Sequence, residues 1–175
     1  MKTLYITCAL LFLFNIASAQ VAIGKTTVNG SSTLLDFDDS TGNTSGIILP
    51  AIADRNTAAS TADNNGTFIF DKSDNKVKMY ENNIWTSLSD DAGDGTLVAN
   101  QNNTSSETGN GVIIGASSSN AKGILILESA TKAMILPRIH QPELNVKSPY
   151  PGMMCYDTES MSLAVYDGVR WNYWK

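Results

Sequence analysis

The phrase Gly66-Thr67-Phe68-Ile69-Phe70-Asp71 returns later in the chain as Gly152-Met153-Met154-Cys155-Tyr156-Asp157. Tyr80 then corresponds to Tyr166 and Trp85 to Trp171, so that every pair from residue 66 to residue 85 is separated by 86 positions without a gap. In the first copy, residues 67–71 read as one alternating strand, Lys72-Ser73-Asp74-Asn75 is a polar turn, and residues 76–80 alternate again. After Glu81-Asn82-Asn83, Ile84 to Leu88 supplies a third short strand. Alternation with period two puts one row of side chains on each face of a sheet, and polar Asn/Asp/Gly clusters between such runs are hairpin signals. In the second copy Thr158-Glu159-Ser160 and Asp167-Gly168 occupy the turns. Asp-Gly and Asn-rich pairs tolerate the positive φ of tight hairpins. Each copy is therefore expected to end in a three-stranded antiparallel meander.

Working outward, Gly46-Ile47-Ile48-Leu49-Pro50-Ala51-Ile52 matches Ala133-Met134-Ile135-Leu136-Pro137-Arg138-Ile139. Val21-Ala22-Ile23-Gly24 matches Val112-Ile113-Ile114-Gly115. The spacing drifts slowly between these pairs, as unequal loops between elements of constant order would produce. Short strands are expected over 21–24, 33–37, 123–127 and 133–136, with one or two helical turns over 57–63. No stretch carries an extended helical period, so the fold class is mainly β. The organisation is two small repeated modules, 20–89 and 111–175. Residues 90–110, rich in Asp, Asn, Gly, Ser and Thr, join them as a flexible linker or a long exposed loop, with Leu97-Val98-Ala99 as its apolar punctuation and a candidate short strand. A unit of this size with few apolar side chains has a marginal core and needs a neighbour, either the other module or another chain.

The register also assigns faces. Val77 and Met79 align with Leu163 and Val165, an apolar row in both copies, whereas Lys78 aligns with Ala164. Cys155 aligns with Ile69, a position that takes an apolar plug. Tyr80, Trp85, Tyr166 and Trp171 keep register between the copies and are assigned to the structural core of the meanders. Trp174 has no aromatic counterpart. With Tyr173 it is the candidate for a ligand contact or a contact between chains.

The first nineteen residues have the form of a secretory signal peptide: Lys2, the apolar run Leu4 to Phe14, and the small-residue pattern Ala17-Ser18-Ala19 before Gln20. The run is shorter than the roughly 20 residues a membrane span needs. Export to the cell surface or medium is expected, with the periplasm as the other destination and no transmembrane segment. Cys8 leaves with the leader and no lipoprotein cysteine stands at the cleavage point. Cys155 then remains alone, so no intramolecular disulfide is expected. Seventeen acidic side chains face twelve basic ones, a formal net charge of −5, one unit more negative once Lys2 is removed. Charge of this sign argues against nucleic acid or anionic lipid as partner.

Candidate chemical sites are sparse. His140 is the single histidine, and Arg138-Ile139-His140-Gln141-Pro142 shows neither metal-ligand spacing nor a nucleophile elbow. Its counterpart in the first copy is Ala53. Asp36, Asp38, Asp39 and Ser40 before Gly42, and Asp90, Asp91 and Asp94 before Gly95, lack the ordered ligand spacing of a calcium loop. They read as solvated turns. No catalytic residue, cofactor or metal is assigned, and the chain is not expected to be an enzyme. Aromatic faces stack on sugar rings, so a carbohydrate-binding surface module using exposed aromatics is the alternative function.

Together the motifs resemble a module of exported bacterial tail-fibre-like and surface-fibre proteins. Its pattern runs Val-Gly-Ile-Gly, Leu-Asp-Val, Leu-Pro-Arg-Met, Gly-Leu-x-Val-Tyr-Asp and Tyr-Asp-Gly-x-x-Trp. The counterparts here are Val112 to Gly115, Ile124 to Leu127, Ile135 to Ile139, Gly152 to Asp157 and Tyr166 to Trp171, with Val21 to Gly24, Leu35 to Phe37, Ile48 to Ala51 and Tyr80 to Trp85 in the first copy. Ala51 departs from the usual arginine. Some relatives carry a self-cleaving chaperone domain, and none is expected after Lys175. The resemblance implies a β-rich, self-associating, trimer-forming class of fibre or adhesin: a homo-oligomer, trimer favoured, with a surface glycan or surface protein as further partner. Asp39-Ser40-Thr41 is similar to the short O-glycosylation acceptor of the same bacterial group.

Overall fold

The computed structural model describes residues 20–58, 60–91, 93–96, 98 and 111–175. The expected leader and most of the 90–110 stretch lie outside the described residues. The fold is mainly β, in several small sheets. In chain order the strands are β1 (Val21–Ile23), β2 (Thr33–Phe37), β3 (Ile47–Ile48), β4 (Ala51–Ile52), β5 (Phe68–Asp71), β6 (Lys76–Glu81) and β7 (Ile84–Ser87). They continue with β8 (Val112–Ile114), β9 (Leu125–Leu127), β10 (Ala133–Ile135), β11 (Arg138–Ile139), β12 (Met153–Asp157), β13 (Ser162–Tyr166) and β14 (Trp171–Trp174). Two 3₁₀ turns, Arg55–Thr57 and Ala62–Asn64, overlap only the ends of the 57–63 stretch expected to be helical, with Ala58 and Thr61 between them extended. A single helical turn, α1 (Pro142–Asn145), follows β11.

Both meanders form. In the first, Phe68 faces Met79, Phe70 faces Val77 and Tyr80 faces Trp85. In the second, Met154 faces Val165, Tyr156 faces Leu163 and Tyr166 faces Trp171. Each meander continues into a parallel strand: β4 on β5, with Ala51 opposite Phe70, and β11 on β12, with Arg138 opposite Tyr156. The cross-strand aromatics pack as tilted pairs, Tyr80–Trp85 with centroids 5.0 Å apart and Tyr166–Trp171 at 5.4 Å. Such pairs contribute about 0.5–1.5 kcal/mol beyond their buried area.

The turns differ in detail from what the sequence implies. Asn82 and Asn83 both have positive φ and close a two-residue loop between Glu81 and Ile84, the backbone of a type I′ turn. Asp167-Gly168 does not make the same turn. Only Gly168 has positive φ, and strand pairing stops at Tyr166 and Trp171. The Asp167 carboxylate accepts the Val169 and Arg170 N–H groups at 2.8 Å and the Asn172 side-chain amide at 2.9 Å. These bonds hold a wider loop open. A Cβ on Gly168 would lie 1.9 Å from the Asp94 carbonyl oxygen, so this glycine serves close approach as well as conformation.

Strands cross between the two halves of the sequence. β10 lies parallel on β2, with Met134 opposite Leu35 and Ile135 opposite Asp36. β3 lies antiparallel on β12, with Ile48 opposite Met153 and Ile47 opposite Met154. The main core is shared accordingly: Leu49, Phe70, Val77, Leu88 and Val98 pack with Met154 and Val165. Val98, inside the stretch read as linker, is buried there, and the Asp94 N–H bonds the Asp167 carbonyl at 2.8 Å. A second, smaller cluster of Ile139, Val146, Met153, Cys155 and Ala164 lies on the opposite face of the second meander.

Cys155 is fully buried, as Ile69 nearly is at the matching position. Burial pushes its thiol up to about 12, so it is a packing group with little thiolate. Lys78 is also buried and its ammonium meets the Asp74 carboxylate at 2.6 Å and Asp71 at 3.9 Å. An aligned lysine and alanine can share a buried position because Asp71 and Asp74 neutralise the lysine while Ala164 joins an apolar cluster.

Candidate functional site

Buried carboxylates organise the loops. Asp71 and Asp157 end β5 and β12, and both are almost wholly enclosed. Asp71 accepts the Ser73 N–H at 3.0 Å and hydroxyl at 2.7 Å, and meets the Arg55 guanidinium at 3.1 Å. Asp157 accepts three backbone N–H groups, those of Gln141, Glu159 and Ser160, each at 3.0 Å. Burial raises the proton affinity of each carboxyl, but these hydrogen bonds outweigh it and hold both below the usual carboxylate range. Asp36 behaves likewise: burial opposes ionisation, and the Asn29 N–H with the Lys25 ammonium at 2.9 Å more than offsets it.

The first acidic cluster is not the solvated turn the sequence implies: Asp36 is fully buried, its Oδ2 engaged and its Oδ1 enclosed without a partner. Asp36 faces Lys25 and Asn29, Asp39 meets Lys25 and the Asn29 amide, and Asp38 caps the Ser40 N–H. Ser40 and Thr41 are exposed. His140 is exposed as well, its Nδ1 3.8 Å from the Glu159 carboxylate. Among the described residues no group of three or more histidine, cysteine or acidic side chains is placed to hold a metal ion.

The aromatics divide by position. Tyr80 is buried, with Trp85 half-buried against it; the Trp85 indole N–H is enclosed without a partner. Tyr166 and Trp171, both half-buried, form one wall of an open groove of about 680 Å³. Tyr173 and Glu143 line it too, the Tyr173 hydroxyl donating to the Glu143 carboxylate at 2.6 Å. Arg170 and Glu159 add opposite charges at its rim. Burial, and then the neighbouring Glu143 carboxylate, pushes the Tyr173 phenol well above its ordinary value, so it stays a hydrogen-bond donor at neutral pH. Trp174 is outside this groove: 44% exposed, it donates its indole N–H to the Leu88 carbonyl at 2.7 Å. Tyr173, at 41% exposure, is thus the one member of the sequence-nominated pair that reaches the groove. α1 contributes Glu143 to the groove, and its four residues carry no periodic signal in the sequence.

The other conspicuous surface is apolar. Val112, Ile124 and Leu125 are all about half-exposed around the two-stranded β8–β9 sheet. Ile23, Ile48 and Ile84 are exposed on the first half. Among the described residues no helix is long and apolar enough to cross a membrane.

No curated protein and no solved structure matches the chain. Residues 113–175, from β8 to the C-terminal strand, match the family model described as a phage tail like trimerisation region, and it is to such a structural, self-associating, tail-fibre-like region that this part of the chain is similar.

Proposed function

We propose that the protein is an exported, non-catalytic structural or adhesive surface protein that works as a homotrimer through multivalent contact. The match of residues 113–175 to a trimerising region carries this proposal. The apolar surface around β8 and β9 lies in the same segment, and exposed apolar residues of this kind mark association sites. The two repeated modules, 20–89 and 111–175, would then present six copies of a weak contact in each trimer, and linked contacts gain avidity without any strong single site. Export rests on the leader-like residues 1–19. Light scattering on a sizing column, run with reductant on residues 20–175, is expected to return three times the chain mass at micromolar concentration. A clean monomer would sink the fibre proposal.

A second reading is favoured by the groove. Its Trp171 and Tyr173 rings, Arg170 guanidinium and Glu143 carboxylate combine stacking surface with hydrogen-bonding groups, the mixture that suits a carbohydrate. Titration with a panel of neutral and acidic oligosaccharides should quench or shift tryptophan fluorescence in the native chain. Arg170→Ala should weaken that response about tenfold, the effect of losing one charge-assisted hydrogen bond. An unchanged spectrum with every sugar would remove this reading.

A further inference from the structure

Two parallel strand pairs share one design. In β1–β2, Val21 lies opposite Leu35 and Ile23 opposite Phe37; in β8–β9, Val112 lies opposite Leu125 and Ile114 opposite Leu127. Each first strand is followed by a positive-φ glycine, Gly24 or Gly115. The pairs differ in what lies beside them. β2 carries β10 on its second edge, whereas among the described residues no strand pairs with the second edge of β9.

That edge is chemically unfinished. Val112 donates its N–H to Ile124 and Glu128 donates to Ile114, both across the β8 side. In a parallel ladder alternate residues bond alternate neighbours, so Leu125 and Leu127 turn their backbone groups to the open edge. Leu125 is 48% exposed and Ile124 59%. An isolated two-stranded pair is marginal in water, and an apolar open edge is a template for strand addition.

The strand that fits can be read from the same repeat. Ile47-Ile48-Leu49-Pro50 is the sequence counterpart of Met134-Ile135-Leu136-Pro137, which contains the strand seated on β2. β3 uses only one edge, on β12, and Ile48 is 54% exposed. We propose that β3 of a second copy of this chain adds in parallel to the open edge of β9, with Ile47 opposite Leu125 and Ile48 opposite Ile126. The register is that of β10 on β2. Donor and acceptor surfaces differ, so the contact is heterologous and closes into a ring when three copies each give one strand and receive one. The proposal rests on the self-association reading and gives it an interface.

The test uses the full chain in a Cys8→Ala background, where Cys155 is buried and stays unreactive. Ile47→Cys and Leu125→Cys chains are refolded together and treated with a short bismaleimide. A covalent dimer is expected in the mixture and in neither variant alone, and the double variant should yield a covalent trimer. Leu125→Pro removes one outward N–H without touching the β8 ladder, and is expected to convert trimer to monomer with an unchanged circular dichroism spectrum. A trimer by light scattering that gives no cross-link, or that persists in Leu125→Pro, overturns this interface while self-association stands. A cross-link confined to single chains overturns it by showing that the chain covers its own edge. A monomeric native chain overturns both.

Discussion

Phe70→Ala should destabilise the fold by about 3–5 kcal/mol, the range for emptying a phenylalanine site that cannot collapse. Phe70 is fully buried in the core that joins Leu49, Val77, Leu88 and Val98 to Met154 and Val165. Its neighbourhood is rigid on two sides. Gly152, at positive φ, brings its backbone so close that a Cβ there would lie 3.1 Å from the Phe70 Cβ, and the Phe70 N–H bonds the Pro50 carbonyl at 2.9 Å. Neither neighbour is a long side chain able to swing into the vacancy. Small domains hold only about 5–15 kcal/mol in total, so most of the stability margin would go. Urea unfolding followed by tryptophan fluorescence measures the loss. Because the core draws on both halves, Trp85 and Trp171 should report one shared transition at a lower midpoint. A loss below about 1 kcal/mol, or a change confined to the Trp85 half, would contradict a shared core.

How much of this was legible beforehand depends on distance along the chain. The meanders were legible because their pairings are local: alternation fixes the face, and Asn82-Asn83 or the 167–170 loop fixes the register between adjacent strands. The pairings of β10 with β2 and of β3 with β12 were not legible. These strands have two to five residues, too few for a period to show, and their partners lie about a hundred residues away. The repeat hinted that residues 46–52 and 133–139 do the same job but not that each does it for the other half. Lys78 shows a second limit. Its burial follows from Asp71 and Asp74, which flank the hairpin turn and could have been paired with it on sight. The groove takes Glu143 from α1, which is placed by Gln141 in the left-handed region and Pro142 at its first position. Of these only the proline is a recognisable helix-start signal.

Asp157→Ala should cost on the order of 3 kcal/mol at neutral pH, with Asp157→Asn losing about half as much. The carboxylate serves three N–H groups from two different loops, residue 141 before α1 and residues 159 and 160 in the β12–β13 turn. Alanine leaves all three donors enclosed and unpaired; asparagine keeps one acceptor oxygen, which serves Gln141 and Glu159, and loses the one that serves Ser160. The same carboxylate sets a pH dependence. Its folded-state affinity for protons is depressed, as are those of Asp71 and Asp36. In the unfolded chain these groups return to the ordinary value near 4. The unfolded state therefore binds more protons as pH falls below about 4, and the stability these carboxylates supply above that value is lost as pH drops through their folded values. Urea midpoints should be flat from about pH 6 to pH 5 and then fall steeply below pH 4. Removing Asp157 should lower the plateau and shallow the acid slope by up to one proton, about 1.4 kcal/mol per pH unit. An acid slope identical in Asp157→Ala and the native chain would show that Asp157 binds its proton as readily folded as unfolded. The loops before α1 and between β12 and β13 would then be held by contacts other than that charge, such as the Ser160–Ser162 hydroxyl pair at 2.5 Å.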